Sequence, residues 1–577
     1  MAEDLTDAQC ILLAVDYAAD ANIQALHNFV PLKPKVLDAN LVLRILLTYL
    51  PESVPPPTYT TFLQELASHL WLEQREPHAL DISSVADISD AAAQKKVKKL
   101  DLLELAPAGF PPLAPDDDLT SFLCHRSYRV DSEIGLLTLL PELFRPFLDR
   151  NEFVRQWFVS VALPLLRLQF EYYPNTDAPL SLKDFQDLGG KDGIDALLSR
   201  TTHAMHKITS ATDSQGTIAR DLKGLVGPWM YGHTERKRRK LAWNQEQQTD
   251  IPQGNRKVSL TGVTEDDQTT HEWEYVFEWM VKEATHNFPM VTNAVEEWNG
   301  PGDVDLGGYL DEARYLDDDL RTKLDKQYAQ TAFAACYAVE ANNTETIDGA
   351  HGILVRLAEI LDFEPPPDLA TSVEELPKID SHASLLHESK STIILDPNVL
   401  LDPNHPLTSP TLPTFMLLQM MVYSAYQLAG LGHSISICNI TKFRFYSDED
   451  EQMSMVQKVL HGLSQGGKRD EHQWTTDRGR LLWLWNWNID PEEGALRGAG
   501  PFGRIPRDTL EKAILQAMLS TGNCSIVQDI YLKGDENRSR LRDEELEQTI
   551  VGEVMKSYDN ASNGNKTRGS MKRASDM

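Results

Sequence analysis

Residues 38–70 read DANLVLRILLTYLPESVPPPTYTTFLQELASHL, and this stretch decides the fold class. Asp38 precedes Leu41 to Leu50, an apolar run whose only clearly polar side chains, Arg44 and Thr48, stand four apart on one line. That spacing is helical, and so narrow a polar line predicts a helix buried between neighbours. The Pro55-Pro56-Pro57 break ends it, and Tyr59, Phe62, Leu63, Leu66 and Leu70 then mark one face of the next helix. Upstream, Ala8, Ile11, Leu12 and Val15 recur at helical spacing behind a Thr6/Gln9 capping box. Asp20 is placed to cap a second short helix carrying Ile23, Leu26 and Phe29, with Pro31 as its stop. Short helices joined by capped or proline-bearing links are the signature of stacked antiparallel helical hairpins. No strict repeat period is present, so patterning leaves two all-α architectures open: an irregular α-solenoid, or a set of unrelated helical bundles.

The same reading divides the rest of the chain. An N-terminal helical block spans 1–234, and within it Asn151 to Tyr173 predicts a core helix kinked at Pro164. Glu152, Gln156, Ser160, Arg167 and Glu171 form its one wet edge. Residues 235–267 are polar and aperiodic, a loop; 268–362 form a central helical block; 363–406 are proline-rich, acidic and irregular; 407–558 form a C-terminal helical block. Residues 559–577 have no apolar face and are expected to be a disordered tail. Ser434 to Phe445 alternates weakly like a strand, but it stands alone and has no partner for a sheet.

With 577 residues the chain exceeds one hydrophobic core. Its 86 acidic residues against 55 basic give a formal charge of −31. That balance argues against nucleic acid as a partner and against direct adsorption to anionic lipid, so membrane association is expected to run through protein partners. Cys10, Cys124, Cys336, Cys438 and Cys524 lack the close pairing of a zinc site or disulfide framework and read as buried thiols of a reducing compartment. The acidic N-terminus lacks a signal-peptide pattern, and the greasiest stretch, Phe415 to Ala429, is too short and too often interrupted to span a bilayer.

Four constellations invite a chemical reading. Gly462 to Lys468 has phosphate-loop spacing, but Arg469 stands where a Ser or Thr must reach magnesium, and an amphipathic helix precedes it where a strand belongs. A glycine-rich helix end explains the same residues. Arg236 to Lys240 is a dense basic cluster, either solvated loop or a docking or import signal. Trp483, Trp485 and Trp487 are either an interfacial wedge or core, and the helical face shared by Leu481, Leu482, Trp485 and Ile489 favours core. His203 and His206 are three apart without a carboxylate beside them. No nucleophile elbow or dinucleotide fingerprint occurs. The expectation is a non-enzymatic interaction scaffold with no catalytic, cofactor or metal residues; its partner-binding residues are not legible.

LVLRILLTYLPES (41–53), DRNEFVRQWFVSVALPLLRLQFEYYP (149–174), RDLKGLVGPWMYG (220–232) and LLWLWNWNIDP (481–491), in this order, resemble the fungal secretory-pathway Sec-thirty-nine family. Its animal relative is the neuroblastoma-amplified-sequence protein. The similarity runs to roughly Glu547, beyond which family members continue with further helical repeats, so a truncated form is one reading of this chain. The resemblance implies an α-solenoid subunit of the Dsl/NRZ tethering complex, peripheral on the cytoplasmic face of the endoplasmic reticulum. There it would bind SNARE proteins and other tether subunits during retrograde COPI transport. The alternative from the residues alone is a nuclear or cytosolic helical-repeat adaptor that uses Arg236 to Lys240 as its import signal.

Overall fold

The computed structural model describes residues 5–71, 80–106, 117–174, 180–207, 217–232, 265–312, 315–378, 394–465, 469–489, 497–532 and 541–577, less 563, 565, 567 and 568. Among them are helices and turns and no strand, so the chain is all-α. Two compact units divide it: residues 1–275 with 301–321, and residues 276–300 with 322–577. In each, helices pack on their chain neighbours as in an irregular α-solenoid.

In the first unit the Thr6 capping box forms as expected, opening the Asp7–Ala19 helix. This helix packs on Ile23–Phe29, Ala39–Tyr49 and Asp90–Val97. The second helix is capped by Asn22, whose side chain accepts from the Ala25 N–H, because Asp20 lies at the C-terminal end of the first helix. Asp38 caps Ala39–Tyr49 by accepting from the Leu41 N–H at 2.7 Å. The polar line on that helix faces protein. Arg44 donates to the carbonyls of Leu102 and Leu103, both at 3.0 Å, and Thr48 accepts from the Leu103 N–H at 3.0 Å. One turn of helix thus satisfies the backbone of a segment that has no helix of its own. The next helix, Thr60–Ser68, stops earlier than its apolar face suggests. His69 turns left-handed at φ 53°, leaving Leu70 74% exposed.

The end of Ala39–Tyr49 is closed from a distance. Pro51 cannot extend the helix, so the carbonyls of Leu50 and Pro51 are left without helical N–H partners. Arg126, 0% exposed, donates to both, at 2.7 and 2.6 Å, from the Asp118–Arg129 helix that packs alongside. Glu52 lies 3.5 Å from Arg126 and 2.6 Å from Arg129, balancing the buried charge.

The predicted core helix runs from Glu152 to Tyr172 and contains two π turns, Phe158–Ala162 and Arg167–Tyr172, on either side of Leu163–Leu166. Pro164, with no N–H to offer, follows directly after the first widened turn. The expected wet edge closes along its length: Glu152 and Glu171 are exposed, but Ser160 and Arg167 are buried. Arg167 donates to the carbonyls of Gly224 and Asp305, at 2.9 and 2.7 Å, and to the Asp305 carboxylate at 2.9 Å. A polar residue at a repeating step was therefore an internal clamp rather than a solvated one.

In the second unit Phe288–Glu297 packs on Thr344–Leu361, that on Leu412–Gly430, and that on Ile437–Tyr446. The last of these helices occupies the stretch that alternates weakly like a strand. Ser436 caps it, accepting from the Asn439 N–H at 3.2 Å, and Ile437, Ile440, Thr441 and Phe445 are buried at helical intervals. Arg507–Ser520 packs against Glu449–Gln465 and Asp543–Asp559. Glu511 on it, fully buried, accepts from Arg478 at 2.7 Å and from the Tyr531 hydroxyl at 2.8 Å. Irregular chain between Leu361 and Leu412 is again held by side-chain donors: Tyr423 reaches the Pro367 carbonyl at 2.6 Å and Gln330 that of Asp402 at 2.7 Å. Where a disordered tail is expected, a helix, Gly569–Asp576, packs on Asp543–Asp559, and Arg573 donates to the Ser520 carbonyl at 2.8 Å.

The tryptophan-rich helix Glu471–Asn486 ends with Trp487 left-handed at φ 51°. Residues 497–505 fold back over this end: the Gly500 N–H donates to the Trp485 carbonyl at 2.9 Å and the Phe502 N–H to that of Leu484 at 3.1 Å. A Cβ on Gly500 would stand 2.2 Å from the Leu484 carbonyl oxygen, so no other residue fits here without moving the backbone.

Two stability predictions follow from these clamps. Arg126→Met removes the donors while keeping bulk, leaving the Leu50 carbonyl without its guanidinium donor and the Pro51 carbonyl with only the Val54 N–H, at 3.2 Å, while Glu52 keeps Arg129. Urea unfolding should show a loss of about 3 kcal/mol in the first unit; an unchanged midpoint would mean those carbonyls find other donors. Gly500→Ala should cost the second unit about 2–4 kcal/mol by overpacking, read as a lowered Tm.

Candidate functional site

The phosphate-loop spacing does not build a phosphate loop. Its first four residues, Gly462 to Gln465, are the last turn of the Glu449–Gln465 helix, where the backbone N–H groups are engaged within the helix. Gly466 to Lys468 lie outside the described residues. Arg469, where a magnesium-binding hydroxyl is needed, instead caps the helix by donating to the Leu463 carbonyl at 3.3 Å and pairs with the nearly buried Asp477. The helix-end reading accounts for Gly462 to Gln465.

The tryptophans are core. Trp483, Trp485 and Trp487 are all buried; the Trp485 indole donates to the Ile505 carbonyl at 2.8 Å and that of Trp487 to the Ser424 hydroxyl at 2.9 Å. Leu481 joins them, while Leu482 and Ile489 are only half-buried. The backbone of His203 and His206 lies in the Gly190–Lys207 helix, and their side chains are outside the described set. The basic cluster Arg236 to Lys240 also lies outside the described residues.

Cys10, Cys124, Cys336 and Cys438 are buried and Cys524 half-buried, none in a disulfide. Desolvation raises the thiol pKa at Cys10, Cys336, Cys438 and Cys524, so these sulfurs stay protonated and poorly nucleophilic. Among the described residues no group of three or more His, Cys, Asp and Glu is placed to hold a metal ion, and no helix is long and apolar enough to cross a membrane. Leu412–Gly430, which includes the greasiest stretch of sequence, is instead a core helix with thirteen buried residues.

A polar cleft of roughly 610 Å³ is lined by Asp149, Glu152, Arg155, Tyr231, Tyr309 and Asp311, among others. Its groups are engaged with one another. Tyr231 donates to Glu152 at 2.8 Å, and Arg155 lies 2.8 Å from Asp149 and 3.6 Å from Glu152. Burial first, and then this hydrogen bond, push the Tyr231 phenol well above its usual range, which disqualifies it as a base near neutral pH. The cleft holds no paired nucleophile and base.

A different kind of feature sits on Asp543–Asp559. Leu546, Thr549 and Glu553 face inward, while Val551, Met555 and Tyr558 stand 52%, 55% and 56% exposed. Steps of four and three place these three on one stripe. The spacing was present in the sequence, but periodicity marks an apolar face without saying whether anything covers it.

Residues 11–577 match the family model described as secretory pathway protein Sec39, essentially the whole chain and past Glu547, to which the resemblance is expected to run. A search of curated proteins found no match. All four resembling segments include or form part of packed helices: Ala39–Tyr49, Glu152 to Tyr172, Thr217 to Tyr231 and Glu471–Asn486. On this match the chain belongs to the Sec39 family of secretory pathway proteins.

Proposed function

We propose that this protein is a non-enzymatic scaffold subunit of a vesicle-tethering complex on the cytoplasmic face of the endoplasmic reticulum. In this reading it binds SNARE proteins and other tether subunits and supports Golgi-to-ER retrograde transport of COPI vesicles. Family membership supports the coarser part, a role in secretory transport. The observation that carries the finer part is the family match along residues 11–577 of a chain whose described residues build stacked helices. Stacked helices present long, firmly held surfaces on which the helices of separate partners can lie side by side. Buried thiols, a phosphate-loop spacing that ends a helix, and a cleft whose polar groups pair with one another support binding over catalysis. The acidic balance of the chain supports attachment through proteins in preference to anionic lipid.

Affinity capture of the tagged full chain from solubilised ER membranes should recover an ER SNARE and at least one tether subunit. Recovery of neither from folded bait would remove the tethering reading. The rival, a nuclear or cytosolic adaptor, depends on the basic cluster. Replacing Arg236, Lys237, Arg238, Arg239 and Lys240 together by Ala should leave ER-rim fluorescence unchanged, whereas a nuclear signal lost on mutation would favour the adaptor.

A further inference from the structure

The Asp543–Asp559 helix buries one side against Arg507–Ser520 and packs on Gly569–Asp576, yet presents Val551, Met555 and Tyr558 to solvent, each more than half exposed. Three large apolar side chains in line on a helix are the footprint that another amphipathic helix fits. The charged residues in line with them on this helix are acidic. Toward the N-terminal end the stripe continues into the exposed Glu544 and Glu547, which fall on the same face at about 100° per residue. Lys556 lies well round the helix and pairs with Glu553 at 3.2 Å.

We infer that this face is a docking surface for an amphipathic helix of a partner protein. That helix carries apolar residues at i, i+4 and i+7 and Lys or Arg bordering them, placed against Glu544 and Glu547. A second copy of this chain fits poorly, since it would bring the same carboxylates and another −31 charges. An anionic bilayer meets the same repulsion. The inference does not rest on the tethering reading, because the face asks for a basic amphipathic helix whatever complex supplies it.

The test uses the full chain and two labelled helical peptides of about 18 residues, identical in their Leu stripe and bordered by Lys in one and Glu in the other. Fluorescence anisotropy should give the Lys peptide a Kd on the order of 10–100 μM, and the Glu peptide at least tenfold weaker binding. Val551→Ser with Met555→Ser should weaken the Lys peptide about tenfold or more. Glu544→Gln with Glu547→Gln should weaken it roughly threefold and flatten its salt dependence. All four positions are exposed, so circular dichroism of both variants should match that of the parent; should the Ser pair misfold, the Gln pair alone decides. Equal binding of the two peptides, indifference to the Gln pair, or no binding of the Lys peptide at about 1 mM overturns the inference. So does tighter binding to phosphatidylserine vesicles than to the Lys peptide, or a dimer in sedimentation velocity that the Ser pair dissolves.

Discussion

A helix-only protein without a strict repeat must hold together the chain between its helices, where carbonyls have no ladder or helix to join. Here long side chains supply the missing donors. Arg126 closes the end of Ala39–Tyr49, Arg44 holds Leu102 and Leu103, Arg167 ties Gly224 to Asp305, and Arg444 donates to the Ala499 carbonyl at 2.7 Å. Tyr423 and Gln330 do the same for the irregular chain before Leu412. An unmet buried carbonyl costs about 1–3 kcal/mol, and two contacts from one planar guanidinium also fix the angle between the elements they join. Strict solenoids set the register of neighbours by repetition; this chain sets it with individual forks.

That constraint explains what the sequence disclosed and what it withheld. Helical class was legible from residues 38–70 because apolar periodicity and caps are local signals, and Thr6, Asp38 and the buried tryptophans confirm the reading. Arg44 and Arg167 were visible only as polar residues on otherwise apolar helices. Their carbonyl partners lie 58 and 59 residues away for Arg44, and 57 and 138 for Arg167, a separation no local pattern encodes. Ser434 to Phe445 looked strand-like because β-branched and aromatic residues alternate there; the Ser436 cap and burial at helical intervals overrode that propensity. The tail has no apolar face to announce a helix, and a single guanidinium contact from Arg573 to Ser520 was not readable either.

Spacing alone raised a phosphate loop, and geometry turned it into a helix end capped by Arg469. The surface features that suit a binding protein, such as the Val551, Met555 and Tyr558 stripe, carry the same periodic signal as a core face, so exposure in the fold was needed to tell them apart. Secretory-pathway membership came from the ordered resemblance of whole segments, which composition and motif chemistry could not supply.

Side-chain donors of this kind should hold the segments between helices as firmly as the helices themselves. Amide hydrogen exchange on the full chain tests it where the N–H groups of Leu103, Gly500 and Phe502 donate to Thr48, Trp485 and Leu484. Protection at these three should be comparable to that of the Leu412–Gly430 helix interior. Exchange at the rate of an open loop would contradict it.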